Sequence, residues 1–411
     1  MNRLLVILTV IIIYFSNISA KDFKLKNVQT YTNKNESSLP VLIPNLYRSQ
    51  RLTIEFDIDA SHTPDLIILF RFSNKNWQPY HNIFLTNQGR NIAYNLKYSV
   101  LPNTVIEARY HYKGEFPDKK GYVTFPFSGK WKYYITDSQD TSKIYYTGKF
   151  IVVYDSVVLN VSLKKEQLEN KVYFPFDLAK IFNITTEFNL PDNMYPGYVD
   201  EVQIIENHKL NYPVTVERGT NTNTRQYYWN GDRKFTFIAR DIRPGNEYRE
   251  VNLMNVNKFN SRNVNAQFNG IEYSHFYKSL PPDLNGGSIL MNYNNPFATY
   301  MNVRFSIRPP QEFFGDIFLV GAFNNWKLSP DYMLRNSMDI YSITLNLKRG
   351  IYDYQYVTGN LINGKIVDPN WFYLEGNNWN TVNEYYIFLY YQDPHYGGYD
   401  RIIGFNKILS N

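Results

Sequence analysis

Short apolar runs of period two, separated by turn residues, dominate the chain. LTIEFDI (Leu52 to Ile58), LIILFRF (Leu66 to Phe72), IEARYHY (Ile106 to Tyr112), KWKYYIT (Lys130 to Thr136) and KIYYTGKFIVVY (Lys143 to Tyr154) each read as a strand. Their spacing predicts one all-β sandwich. Asp155-Ser156 marks an exit, and Val157 to Leu163 reads as the first strand of a second unit. That unit, to about Tyr300, is less regular, with Asn- and Pro-marked loops at 189–197, 218–224 and 278–287. Only Leu163 to Lys171 has the composition of a helix, which Pro175 would stop.

A third unit opens with YMNVRFSI, Tyr300 to Ile307, and Pro309-Pro310 takes the chain out of its sheet. Gly315-Asp316 starts the next strand, Ile317 to Val320, and Gly321 with Asn324-Asn325 supplies the turn after it. Lys348-Arg349-Gly350 makes a further turn. It feeds a strand in which Ile351, Asp353, Gln355 and Val357 face opposite to Tyr352, Tyr354 and Tyr356. The expected architecture is all-β: tandem β-sandwich domains over 21–154, 155–300 and 301–411, stacked as an elongated rigid body. Tyr-rich strands such as YYIFLYYQ (Tyr385 to Gln392) would bury one face and offer tyrosine on the other as a contact surface.

Residues 1–20 read as a secretory signal peptide, with Arg3, an apolar stretch from Leu4 to Phe15, and Ile18-Ser19-Ala20 as the cleavage site. The stretch is short of the roughly 20 apolar residues that span a bilayer. The chain has no cysteine, hence no disulfide and no lipid attached to a cysteine. The formal charge of +6 is dispersed, with no basic run longer than Lys119-Lys120 or Lys164-Lys165, unlike the basic stripe of a nucleic-acid reader. No nucleic-acid partner is expected.

Catalytic signatures are missing. His62, His81, His111, His208, His275 and His395 are scattered singly, without metal-ligand spacing, and no nucleophile elbow, phosphate loop or dinucleotide fingerprint occurs. Asp57 and Asp59 share a strand face and read as solvated. The expectation is a protein that is not an enzyme, with no catalytic residue, metal or cofactor. Trp326 has two readings: it packs over its turn with the indole N–H on a loop carbonyl, or it stacks on a sugar together with Trp371 and Trp379 from the turn-rich segment 368–386. Asp400-Arg401 reads as a local ion pair at the last strand or as an exposed recognition element. Arg243 and Arg249 flank the Pro244-Gly245 turn, with Glu247 placed to pair with Arg249 in a buried network or at a partner contact.

The turn residues Gly321, Phe323, Asn324 and Trp326, followed by the Y-x-Y strand, resemble early-set, immunoglobulin-like modules that include glycogen-binding domains. With YDRIIG, Tyr399 to Gly404, and its Asp400 and Arg401, the C-terminal third resembles the type IX secretion system plug protein, a periplasmic family of the Bacteroidetes. IRPGNEYREVNL, Ile242 to Leu253, extends the resemblance through Arg243, Gly245, Asn246, Glu247 and Arg249. Trp77-Gln78-Pro79 and FSGKWKYYI, Phe127 to Ile135, add a sparser match; the resemblance is strong after Met301 and patchy before Tyr154. The loop before Trp77 reads FSNKN, without the cysteine of many members. The resemblance implies a periplasmic plug that binds the outer-membrane translocon β-barrel and seals its periplasmic opening when no substrate is engaged, without inserting into the membrane itself. A periplasmic or secreted carbohydrate-binding protein built on the early-set module is the alternative.

Overall fold

The computed structural model describes residues 23–44, 50–86, 91–168, 176–311 and 313–410. The expected signal peptide lies outside them, and among the described residues no helix is long and apolar enough to cross a membrane.

The first sandwich faces a sheet of Lys24–Thr32, Leu52–Asp59, Tyr110–Phe116 and Tyr98–Val100 against one of Val41–Leu42, Ile144–Val152, Gly129–Asp137, Leu66–Ser73 and Ile92–Ala93. Period-two alternation turns Leu66, Ile68, Phe70 and Phe72 inward, opposite Trp131, Tyr133 and Ile135, into one aromatic-rich core. The strand predicted from Ile106 begins only at Tyr110. Glu107 is left-handed at φ 66°, and Val105 and Ala108 turn to a different cluster.

The second sandwich joins Asn160–Gln167, Lys180–Asn189, Lys234–Ile242 and Arg225–Trp229 to a sheet of Val214–Glu217, Val199–Glu206, Glu384–Asp393 and Tyr399–Leu409. Leu163 to Gln167, predicted as helix, is strand: Val161 and Leu163 alternate onto the core, and the lysines suit a sheet edge. Residues 169–171 of that prediction lie outside the described residues.

In the third sandwich, Gly350–Ile362 is the hub of one sheet, paired with Arg249–Asn252, Ser288–Leu290, Asp316–Gly321 and Lys365–Asn370. Tyr300–Arg308 and Ile340–Lys348 centre the other, with Asn263–Asn265, Glu272–Tyr273 and Arg335–Ser337.

The expected boundary at 300/301 does not follow these sheets. Glu384–Asp393 pairs antiparallel with Val199–Glu206, placing Gln203 opposite Phe388, so the last two strands complete the second sandwich. The third is inserted between them. The cause is apolar matching: Tyr385, Ile387 and Leu389 join the core of Val199, Val202 and Ile204. The other face, Tyr386, Phe388 and Tyr390, packs on Trp77, Ile151 and Val153 of the first sandwich. Both faces of this Tyr-rich strand are therefore buried, where one exposed face was expected. A further apolar cluster joins Leu101, Val105 and Ala108 of the first sandwich to Tyr300 of the third. The first sandwich thus touches both others, which closes a triangle instead of stacking an elongated row.

Candidate functional site at the junction of the three sandwiches

Asp400 and Arg401 do not pair with each other. Arg401 reaches Asp393, Nη1 to Oδ2 3.2 Å, at a partly exposed position. Asp400 is buried and points into the first sandwich, where its Oδ2 accepts the backbone N–H of Lys75 at 2.7 Å. The Lys75 ammonium pairs in turn with Asp200 and Glu201 of the second sandwich, 2.8 and 2.7 Å. Behind it Lys130, buried, donates to Gln203 Oε1 at 2.7 Å and lies 4.7 Å over the Trp77 ring. The segments around Trp77 and Tyr399 to Gly404, distant in sequence, therefore meet.

Arg249 is fully buried, but its partners are Glu375 and Glu272, both at 2.9 Å, and not Glu247. Glu272 also accepts the Tyr354 and Tyr356 hydroxyls at 2.9 and 2.6 Å, so the two carboxylates are satisfied from several sides. Glu247 instead accepts the N–H of Val382 at 2.8 Å. Gly245, left-handed at φ 71°, donates its N–H to Asn377 Oδ1 and accepts from the Asn378 N–H. Asn246 donates to the carbonyls of Lys278 and Glu375, 2.8 and 3.0 Å, and the Arg243 guanidinium lies over Phe372. This segment seats the third sandwich on the strand that re-enters the second.

The turn from Gly321 to Trp326 is built by side chain to backbone bonds. Asn324 accepts the Gly321 N–H at 3.1 Å and donates to the Leu319 carbonyl, while Asn325 and Trp326 are left-handed at φ 53° and 56°. Any Cβ on Gly321 would stand 2.5 Å from the Asp353 carbonyl oxygen. Phe323 packs on Phe305. Trp326 is 1% exposed; its indole donates to the Gly286 carbonyl at 2.7 Å and its ring lies 4.3 Å from that of Tyr248. Trp371 packs against the same cluster, whereas Trp379 packs on the second sandwich's core and donates to the Ile181 carbonyl. The three indoles therefore make no common platform.

Sequence reasoning missed the junction of the first and third sandwiches. Asp57, read as solvated, is 1% exposed: Lys348 reaches Oδ2 at 2.8 Å, the Tyr300 hydroxyl donates to it at 2.9 Å, and His111 Nδ1 lies 2.7 Å from Oδ1. Burial opposes its ionisation, but the His111 hydrogen bond and the Lys348 charge hold the carboxyl below its usual range. No local signal revealed this, because the partners lie 54 to 291 residues away. Between the sandwiches opens a cleft of about 500 Å³, lined by Thr30 and Lys149 of the first, His208 and Tyr212 of the second, and Asn325 and Lys327 of the third. Asn325 donates to the Tyr146 hydroxyl at 3.0 Å and the Leu328 N–H to the Tyr212 hydroxyl at 2.9 Å, tying its walls together. Among the described residues no group of His, Asp and Glu is placed to hold a metal ion. Asp57 ties the first sandwich to the third through Lys348 and Tyr300, whereas Glu272 and Glu375 are engaged with Arg249 inside the third.

Residues 25–154 match the family model of the type 9 secretion system plug protein 1st domain. The matched stretch is the first sandwich, which carries Lys75 and Asp57. A hypothetical protein from Parabacteroides merdae ATCC 43184, known from a crystal structure, superposes with a TM-score of 0.73 at 19% identity, over 95% of this chain and 98% of that one. That likeness shows a shared fold across all three sandwiches. A 1.5-MDa bacterial ice-binding adhesin reaches a TM-score of only 0.15 at 7% identity, over 94% of this chain and 96% of that one, too little to support any argument. No curated protein matches the chain.

Proposed function

We propose that the chain is a plug-type component of the type 9 secretion system: a periplasmic body that docks on the outer-membrane translocon barrel and seals its periplasmic opening when no substrate is engaged. The match of the first sandwich to the plug family's first domain carries this reading. The architecture is suited to it. A barrel wide enough for folded substrates leaks unless covered, and a cover must not deform under load. A first sandwich joined to each of the others by an apolar cluster and ion pairs, with the third inserted into the second, supplies a stiff body with a broad surface, adequate for an ordinary interface of about 800 Å² per partner. Release requires that one barrel conformation bind the plug far better than the other.

Affinity capture of the tagged chain from detergent-solubilised outer membranes tests the reading. The barrel of the type 9 pathway should co-purify when secretion substrates are depleted, and recovery should fall when a stalled substrate fills the pore. Capture without any barrel would refute it.

A further inference from the structure

The strand Ile144–Val152 is paired along its length on one side only. Gly129–Asp137 covers that side, whereas on the other Val41–Leu42 reaches only Ile151 and Val152. The Ile151 N–H donates to the Pro40 carbonyl and the Val153 N–H to the Leu42 carbonyl. In an antiparallel ladder alternate residues point their N–H and C=O groups the same way, so those of Thr147 and Lys149 point to the same uncovered side. Both residues line the junction cleft, and Thr147 is exposed. A row of unpaired donors and acceptors is a template for another strand.

A row of cations runs across the sheet from this edge. Arg71 stands directly opposite Lys132, and Lys132 directly opposite Lys149, on three neighbouring strands. Like charges in such pairs are destabilising. Lys327 enters from the third sandwich. Burial, then the charges of Lys132 and Lys327, depress the Lys149 ammonium to about 8, and it donates a hydrogen bond to Asn211 Oδ1 at 2.5 Å. Among the described residues, Arg71, Lys132, Lys149 and Lys327 have no carboxylate partner, whereas Lys26, Lys75, Lys113 and Lys348 each have one. Lysines that merely guard a sheet edge are solvated; Arg71, Lys132 and Lys149 are half-buried, and Lys327 faces them from an exposed position.

We propose that this edge is a docking strip for an acidic, extended segment of a partner polypeptide, which adds as a strand beside Thr147 and Lys149 and sets its carboxylates against Lys149, Lys132 and Lys327. That the partner is the translocon barrel rests on the plug reading; the strip itself does not. Pairing would supply main-chain hydrogen bonds for affinity, and the cations would select acidic sequence.

Fluorescence titration of the purified chain with two labelled octapeptides, alternating Val-Glu and alternating Val-Lys, tests the strip. The acidic peptide should bind and the basic one should not. The double variant Lys132→Glu with Lys327→Glu should weaken binding of the acidic peptide by about tenfold or more. Thr147→Pro, which removes an outward N–H and no ladder bond, should do the same, and the charge reversals should not lower the melting temperature, since Lys132→Glu turns two like-charge pairs into opposite ones. Equal binding of the two peptides, no binding, or unchanged affinity in the double variant overturns the proposal. In membrane capture, undiminished barrel recovery by the double variant would overturn the barrel as the strip's occupant and leave the plug reading standing. Peptide binding without barrel recovery would leave the strip standing and sink the plug reading.

Discussion

The Asp400 carboxylate accepts the backbone N–H of Lys75 at 2.7 Å across 325 residues of sequence. The last strand of the chain thereby grips the turn before Trp77, and its own backbone N–H donates to the Tyr80 hydroxyl at 2.7 Å. One strand completes the second sandwich and fastens it to the first.

Asp400→Ala should cost about 1–3 kcal/mol, the range for leaving buried donors unpaired. Amide hydrogen exchange should accelerate at Lys75 to Trp77 while the third sandwich stays protected. Arg401→Ala, which breaks a partly exposed pair, should cost no more than about 1 kcal/mol. Equal effects of the two substitutions would show that Asp400 does not fasten the sandwiches.

Trp326→Ala should destabilise the third sandwich by about 3–5 kcal/mol, as expected for deleting a buried indole. Trp326→Phe, which keeps a ring but abandons the Gly286 carbonyl, should cost less. Calorimetry with added α-glucan should show no shift in melting temperature; a clear upward shift would restore the sugar-binding reading.

Arg249→Met should cost about 3–5 kcal/mol, because Glu272 and Glu375 would keep their burial and lose their counter-charge. Arg249→Lys should recover only part of it, since one ammonium cannot address both carboxylates and the Tyr273 carbonyl as the guanidinium does. Urea midpoints of the two variants check this; a wild-type midpoint for Arg249→Lys would contradict the fork geometry.

How much of this was legible in the sequence depends on how local the cause was. The alternation of Leu66 to Phe72 and the turn at Gly321 to Trp326 rest on neighbours within a few residues, and both features are where the pattern put them. Leu163 to Gln167 reads as helix because its lysines mimic one, while its actual partner, Lys180–Asn189, lies further along the chain. The inserted third sandwich was invisible because Tyr385 to Leu389 suits any apolar face and only tertiary matching selects Val199–Glu206. The family resemblance reads as patchy before Tyr154, yet 25–154 is where the plug family model matches.

Stability should fall as pH rises through the neutral range, in part because of Asp283 and Asp353. Burial and the nearby Asp283 charge hold the Asp353 carboxyl well above the usual range, and burial, then Glu247, does so for Asp283. A raised carboxyl means that the folded protein binds more protons than the unfolded chain above about pH 4, so unfolding becomes easier with each step upward. Asp353→Asn cannot ionise and still accepts the N–H groups of Leu284 and Gly286, both at 2.8 Å in the native protein. Its urea midpoint should therefore exceed wild type at about pH 9 and approach it at about pH 4. A constant difference across that range would contradict the raised value.

Sealing itself is tested most directly by permeability. In the bacterium that carries this chain, its deletion should raise uptake of large solutes that the outer membrane normally excludes, and blocking the translocon barrel separately should abolish that uptake. Uptake that is unchanged by deletion, or that persists with the barrel blocked, would contradict the plug account.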